Sequence, residues 1–187
     1  MTNLGQSTDI VEAPGPEAAA PTRLREVMAQ FATGVVVLTV GGTNVHGMTA
    51  NAFTSVSLDP PQVLCCVAHS AVMHTAMTKE RHFGVSILAA GQEATARHFA
   101  DKHRTLGPAQ FQPLDWSPGP RTGAPLLAGA LAWLECELGA AYPGGDHSVF
   151  LGQVVTAACG DGDAGLLYFG GGFRPVGRPA GPSRPHG

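Results

Sequence analysis

Apolar residues along this chain fall into short runs with two different periods. Leu24, Val27, Met28 and Phe31 recur at i, i+3, i+4 and i+7, which predicts a helix capped by Thr22 and stopping near Thr33-Gly34. GVVVLTV is a β-branched run closed by Gly41-Gly42-Thr43-Asn44, QVLCCVA follows the Pro60-Pro61 break, and HFGVSILAA is a third strand. ALAWLECEL alternates, with Ala132, Leu134, Cys136 and Leu138 on one face and Glu135 and Glu137 on the other, as in a half-exposed antiparallel strand. SVFLGQVVTAAC and GLLYFGGGF complete the set, and the Gly160 to Gly165 segment between them reads as a hairpin turn. Ser70 is placed to cap a short helix with Met73, Ala76 and Met77 inward, and GQEATARHFADK reads as a helix with Glu93 and Arg97 paired one turn apart. Arg104 to Pro125, rich in Pro and Gly, reads as a long surface excursion. The sum is mainly β, about six or seven strands with a few helices, and favours a closed antiparallel barrel over a parallel βαβ sheet.

Length and composition narrow this picture. At 187 residues the chain holds one domain, and 44% hydrophobic against 13% charged residues requires burial within the chain or against a second copy, so a homodimer is expected. Residues 1–21 and 177–187, dominated by Ala, Pro and Gly without periodicity, are expected to be disordered tails around a 22–176 domain. A net charge of -3 offers no attraction to nucleic acid or an anionic membrane. No signal-peptide pattern or membrane span is visible, so a cytoplasmic location is expected. Cys65, Cys66, Cys136 and Cys159 lack C-x-x-C spacing and lie mostly in apolar runs, which suits reduced, buried thiols better than disulfides or zinc ligands.

Candidate chemistry is sparse. There is no G-x-G-x-x-G after a strand, no G-x-x-x-x-G-K-[ST] and no G-x-S-x-G, and the eight histidines contain no H-x-x-x-H, so no metal centre is expected. Asp146-His147, an acid beside an imidazole, reads by itself as a turn that starts a strand. The polar stretch GMTANAFTSVSLDPP, residues 47–61, reads on composition as an edge strand and turn, with a ligand site as the alternative.

The order of the pieces carries more. Phe31-Ala32-Thr33-Gly34-Val35, the 47–61 stretch, Gly145-Asp146-His147 and Leu166-Leu167-Tyr168-Phe169 together resemble the flavin reductase family, the short-chain reductase components of two-component flavin-dependent monooxygenases, over about Leu24 to Val176. The resemblance implies an FMN-binding split β-barrel with Greek-key order, homodimeric, binding FMN or FAD at the subunit interface. It implies hydride transfer from NADH or NADPH to the flavin, which leaves reduced for a separate monooxygenase. By the same resemblance Gly47, Met48, Thr49, Ala50, Asn51, Ala52 and Ser55 meet the flavin, the Thr49 hydroxyl bonding its pyrimidine edge. Cys66, Val67 and Ala68 lie beside the flavin and its phosphate, and Ser70 opens a helix suited to that phosphate. His98 and Phe99 also touch the flavin, with any phosphate contact at His98 dependent on pH. His147, as a nicotinamide-positioning group, and Tyr168, Phe169, Gly170 and Gly171 face the nicotinamide nucleotide.

Two departures stand out against that pattern. Ser86 replaces a usual Asn, which shortens or removes a hydrogen bond near the flavin, and Gly170-Gly171-Gly172-Phe173 replaces Arg-Gly-x-Tyr, which leaves that side less charged. The same barrel would also serve a flavin-carrying electron-transfer or storage protein, or a tight-flavin oxidase. His147 and Tyr168 favour the reductase.

Overall fold

The computed structural model describes residues 20–177, so the tails expected over 1–21 and 177–187 lie outside the described residues except at their inner ends, where Pro21 opens the first helix and Gly177 closes the last strand. Helix α1 (Pro21–Met28) opens with Pro in its first turn, where a missing N–H costs nothing, and its N-cap is Ala20 rather than Thr22. The strands are β1 (Thr33–Gly34), β2 (Val36–Val40), β3 (His46–Ala50), β4 (Phe53–Leu58), β5 (Pro61–Ala68), β6 (His82–Ile87), β7 (Trp116–Pro118), β8 (Pro125–Leu127), β9 (Ala132–Gly144), β10 (His147–Cys159), β11 (Ala164–Phe169) and β12 (Gly172–Gly177). Helices α2 (Val72–Glu80) and α3 (Glu93–Ala100) pack among them. The strand count exceeds the sequence expectation because GLLYFGGGF contains two strands, and because the excursion contributes β7 and starts β8.

The fold is mainly β. Its main sheet has seven strands in the order β3-β2-β6-β9-β10-β5-β4, every pair antiparallel. The two outermost strands, β3 and β4, are consecutive in sequence and joined only by Asn51 and Ala52. The sheet therefore bends enough for the end of β3 and the start of β4 to lie two residues apart. A smaller sheet, β1-β11-β12, begins where the chain passes from β1 into β2. Val35, Leu88 and Leu166 stitch the sheets: Val35 N–H donates to Leu166 O at 3.2 Å, Leu88 N–H to Val35 O at 3.0 Å and Leu166 N–H to Leu88 O at 3.1 Å.

The Gly160 to Gly165 segment is not a hairpin turn. Both edges of β10 are already taken by β5 and β9, so β11 crosses to the other sheet and pairs with β1 and β12. The true hairpin follows Phe169, where Gly170 (φ +59°) and Gly171 (φ +77°) form a two-residue turn with both residues left-handed, which glycine adopts without strain. Gly145 (φ +69°) plays a like role between β9 and β10, delivering His147 opposite Gly144.

Strand β2 is buried along its whole length, which explains its unbroken apolar run. One side joins Leu38, Cys65, Met73, Met77, Phe83 and Phe150; the other joins Val37, Phe99, Phe111, Leu127 and Leu166. Met73, Ala76 and Met77 point inward from α2 as expected, although the N-cap is Ala71 and Ser70 makes no cap bond. Burial pushes the thiols of Cys65 and Cys136 up to about 12, and all four cysteines are free, with Cys66 half-buried and Cys159 exposed.

Two further expectations are corrected. The 104–125 stretch is not a plain surface excursion: Gln110, Phe111 and Ala124 are buried. Glu135 does not share the solvent face with Glu137; it is 1% exposed, and its Oε1 accepts from Arg121 N–H, Thr122 N–H and the Thr122 hydroxyl at 2.8–3.0 Å. The excursion folds over that face of β9 and supplies three donors to one oxygen of the buried carboxyl, while Oε2 has no partner among the described residues.

Candidate active site

Strand β3 is a sheet edge, so alternate residues turn their N–H and C=O away from β2. At Gly47 both groups are taken by the excursion: Gln110 Oε1 accepts the amide at 2.9 Å and the Arg104 guanidinium donates to the carbonyl. Alternation turns the Thr49 amide and carbonyl toward the same edge. Gly47 itself is dictated by Phe99, since a Cβ there would lie 2.5 Å from the ring.

Beside this edge opens a cleft of ≈ 510 Å³ between the β3–β4 corner, the end of β5, the start of α2 and the segment after α3. It brings together Met48, Thr49, Ala50, Asn51, Ala52, Cys66, Ala68, Ser70, Phe99 and His147, residues drawn from four separate parts of the sequence. A neighbouring groove of ≈ 290 Å³ shares Thr49, Ala50 and Asn51 and adds Val35, Tyr168 and Phe173. A third hollow of ≈ 380 Å³ carries on past Tyr168 to Gly171 and Arg97, whose guanidinium lies 5.1 Å from the Phe173 ring centre. Arg97 is held by Glu93 at 2.7 Å, the pairing expected from the sequence.

Several expected contacts are not made by side chains here. Val67 points into the core at 1% exposure, because successive residues of β5 face opposite ways and Cys66 takes the cleft side. Ser55 lies exposed on β4, away from the cleft lining. The His98 ring is turned to the Gln110 carbonyl, Nε2 at 2.7 Å, so it secures the excursion instead of reaching the cleft. Phe169 and Gly170 line none of these three hollows. The Thr49 hydroxyl donates to Ala96 O at 2.7 Å, so its proton is committed within the protein and the main chain is the donor left over. Ser86 is buried in the core, its Oγ accepting Leu127 N–H at 3.0 Å, and does not face the cleft.

Residues that sequence reasoning missed are His46, Lys102, Arg104 and Leu106 in the lining. The cluster Asp101-Lys102-His103-Arg104 directly after α3 was the available signal. His46 is buried, and that burial, together with the neighbouring Arg104 charge, pushes its imidazole down from 6.5 to about 4. A neutral imidazole is what the contact demands, since Nε2 faces an Arg104 Nη2 donor at 3.1 Å and must accept.

At the other side, His147 Nδ1 meets Asp146 Oδ1 at 2.7 Å. The bond from His147 holds the Asp146 carboxyl below the usual range. It also fixes the ring and leaves Nε2 for another partner. His69 N–H donates to Asp146 O at 2.9 Å, tying this turn to the end of β5. Val72 and Met73 begin α2 with no side-chain cap, so the first amides of the helix are available beside Ser70. No Asp or Glu lines the main cleft, and among the described residues no group of three or more His, Cys, Asp or Glu is placed to hold a metal. An apolar floor, outward main-chain groups and two cations without a facing carboxylate suit a flat, partly apolar molecule with an anionic tail.

Known proteins place this geometry. The chain is 53% identical over 165 residues to an NADH-dependent FAD reductase of Streptomyces globisporus, covering 87% of this chain and 91% of that protein. The flavin reductase component of a bacterial two-component tryptophan halogenase superposes with a TM-score of 0.82 at 49% identity, covering 86% of this chain and all of that one. An NADH:FAD oxidoreductase of Streptomyces globisporus, solved with NAD and FAD fragments, gives a TM-score of 0.79 at 50% identity, covering 90% of this chain and 99% of that one. The sequence profile described as "Flavin reductase like domain" matches residues 28–177, nearly the whole described region, and the chain belongs to that family.

Proposed function

We propose that this protein is an NAD(P)H:flavin oxidoreductase that reduces FMN or FAD with NADH or NADPH and supplies the reduced flavin to a separate monooxygenase. The observation that carries the reading is the main cleft, where the Met48–Ala52 corner, Cys66, Ala68, Phe99 and His147 converge from distant parts of the chain. When bound, the flavin supplies the hydride-accepting centre, so the protein needs no nucleophile or strong base. Its own residues position the reactants. The Thr49 amide is the donor available to the flavin's pyrimidine edge, where negative charge grows on reduction. Asp146 holds the His147 ring so that Nε2 is free to orient the nicotinamide nucleotide, with Tyr168 and Gly171 along the adjoining hollows.

The reading includes a single 22–176 domain that forms a split barrel and a homodimer, in the cytoplasm. Among the described residues no helix is long and apolar enough to cross a membrane. The two-residue link between β3 and β4, the outermost strands of the main sheet, supports the barrel. The apolar side chains at the start of the chain support the dimer: Leu24, Val27 and Met28 of α1, which ends sooner than the sequence predicts, and Phe31 beyond it are each 53–65% exposed, a patch that requires cover. Sedimentation of the purified protein at micromolar concentration gives twice the chain mass under this reading; a strictly monomeric species removes the dimer.

The activity test mixes protein with NADH or NADPH and riboflavin, FMN or FAD, and follows nucleotide absorbance. Oxidation that saturates in free flavin is the expected result, and silence with both nucleotides ends the reading. His147→Ala is expected to raise the KM for the reduced nucleotide about tenfold while flavin affinity changes less; an unchanged KM takes His147 out of the site.

A further inference from the structure

Beside the turn that carries His147, two further imidazoles converge on one hydroxyl. His69 follows β5 and His74 lies in the first turn of α2, a spacing that fits neither the helical nor the strand repeat. A third segment brings them together: Ser148 Oγ on β10 lies 3.1 Å from His69 Nε2 and 2.9 Å from His74 Nε2. The two rings stand edge-on, 83° apart, with their centres separated by 5.1 Å. Two imidazoles that share a tetrahedral ion through Nε2, each nitrogen about 2.0–2.1 Å from it, also have ring centres about 5 Å apart. With one hydroxyl proton between them, one ring accepts and the other donates; an ion needs only that the donating ring carry its proton on Nδ1 instead. The Phe150 ring, 5.1 Å from the His74 ring centre, holds the inner imidazole, while the exposed His69 leaves an ion open to solvent. Neither histidine nor Ser148 lines the flavin cleft. Both ends of the cluster nonetheless lead to His147, since Ser148 follows it on β10, and His69 N–H donates to the Asp146 carbonyl at 2.9 Å while Asp146 Oδ1 meets His147 Nδ1 at 2.7 Å.

We propose that His69 and His74, with the Ser148 hydroxyl between them, bind an exchangeable divalent ion of the zinc class, and that its occupancy restrains the turn that places His147. Imidazole nitrogens favour zinc, copper and nickel, whereas magnesium and calcium take oxygen ligands. Two protein nitrogens fall short of the closed ligand set of a resident structural zinc, so this ion comes and goes with water in its remaining positions. While it is bound, Ser148 and the His69 main chain hold the Asp146–His147 pair from both sides, and the ring loses freedom to adjust to an incoming nucleotide. Binding of the ion stands apart from the reductase reading; its effect on nucleotide use rests on that reading.

The test titrates the untagged full chain with zinc chloride in a calorimeter, for the wild type, His69→Gln and His74→Gln, and measures the KM for NADH with and without zinc. The wild type is expected to take up one ion per chain. Each substitution is expected to weaken that binding about a hundredfold, because loss of an outer-shell partner alone costs about 10- to 100-fold. His69→Gln, at an exposed position, keeps the test open if His74→Gln, which gives up its packing on Phe150, fails to fold. Zinc is expected to raise the wild-type KM for NADH several-fold, reversibly with EDTA, and to leave that of His69→Gln unmoved; magnesium should do neither. Absence of zinc binding, or an affinity unchanged in His69→Gln, overturns the site. Zinc bound through His69 with the KM for NADH unmoved overturns its hold on His147. A wild type that oxidises no NADH with any flavin sinks the reductase reading instead, and the calorimetric titration then decides the site by itself.

Discussion

Glu135 and Arg104 are both ionisable side chains drawn out of water in the 104–125 region, and both keep one buried polar atom without a partner among the described residues, but the first is sealed in the fold and the second lines an open cleft. The carboxyl of Glu135 is 1% exposed and receives Arg121 N–H, Thr122 N–H and the Thr122 hydroxyl at one oxygen. The guanidinium of Arg104 sits on a cleft wall, gives to neutral acceptors and keeps its charge uncompensated. A buried group whose partners come from its own chain holds the fold together. A cation left without a counter-charge beside an open hollow is set up for something that arrives from solution.

If that distinction holds, substitutions at the two places separate stability from binding. Glu135→Ala strands the Arg121 and Thr122 amides and empties the space against Gly119, so unfolding free energy is expected to fall by about 3 to 4 kcal/mol, while flavin affinity per folded molecule is retained. Urea denaturation together with flavin titration checks this, and loss of binding at full stability would erase the contrast.

Acid acts next, through His46. Its folded value near 4 lies below its ordinary 6.5, so the unfolded chain binds the extra proton first. The contribution is present above pH 6.5 and drains away as pH falls toward about 4, up to roughly 2 to 3 kcal/mol. A His46→Gln variant should show a flatter stability profile across that window; an identical slope would mean His46 is not the group responsible.

Gly47→Ala has the smallest expected effect on stability, about 2 kcal/mol, because Phe99 must give way to a Cβ 2.5 Å from its ring. Unlike the Glu135 change, it should weaken flavin binding in the folded protein, since Phe99 and Arg104 move together. Calorimetric melting with a parallel flavin titration distinguishes the two.

Much of the local structure was legible in the sequence. The continuous apolar run of β2, the inward Met73, Ala76 and Met77 of α2, and the Glu93–Arg97 pair follow from period and spacing. The 48–52 corner, with Cys66, Ala68, Ser70, Phe99 and His147, was recognisable from motif order, and the fold does bring these residues to one cleft, whereas Gly47 stays outside its lining. Alternation along β9 correctly paired Glu135 with the face opposite Cys136, yet it could not say that the excursion would cover that face.

Sequence alone determined which residues alternate, which turn and which share a face, because those follow from the repeat of the backbone and the needs of neighbouring residues. Only the tertiary structure decided that Val67 faces the core, that His98 and the Thr49 hydroxyl are already engaged, and that Lys102 and Arg104 stand in the cleft. Those outcomes depend on which distant segment comes to rest on a given face. A one-dimensional pattern records that a side chain points outward, whereas the charge and donors waiting there are set by chain closure over tens of residues, from β3 to the segment after α3.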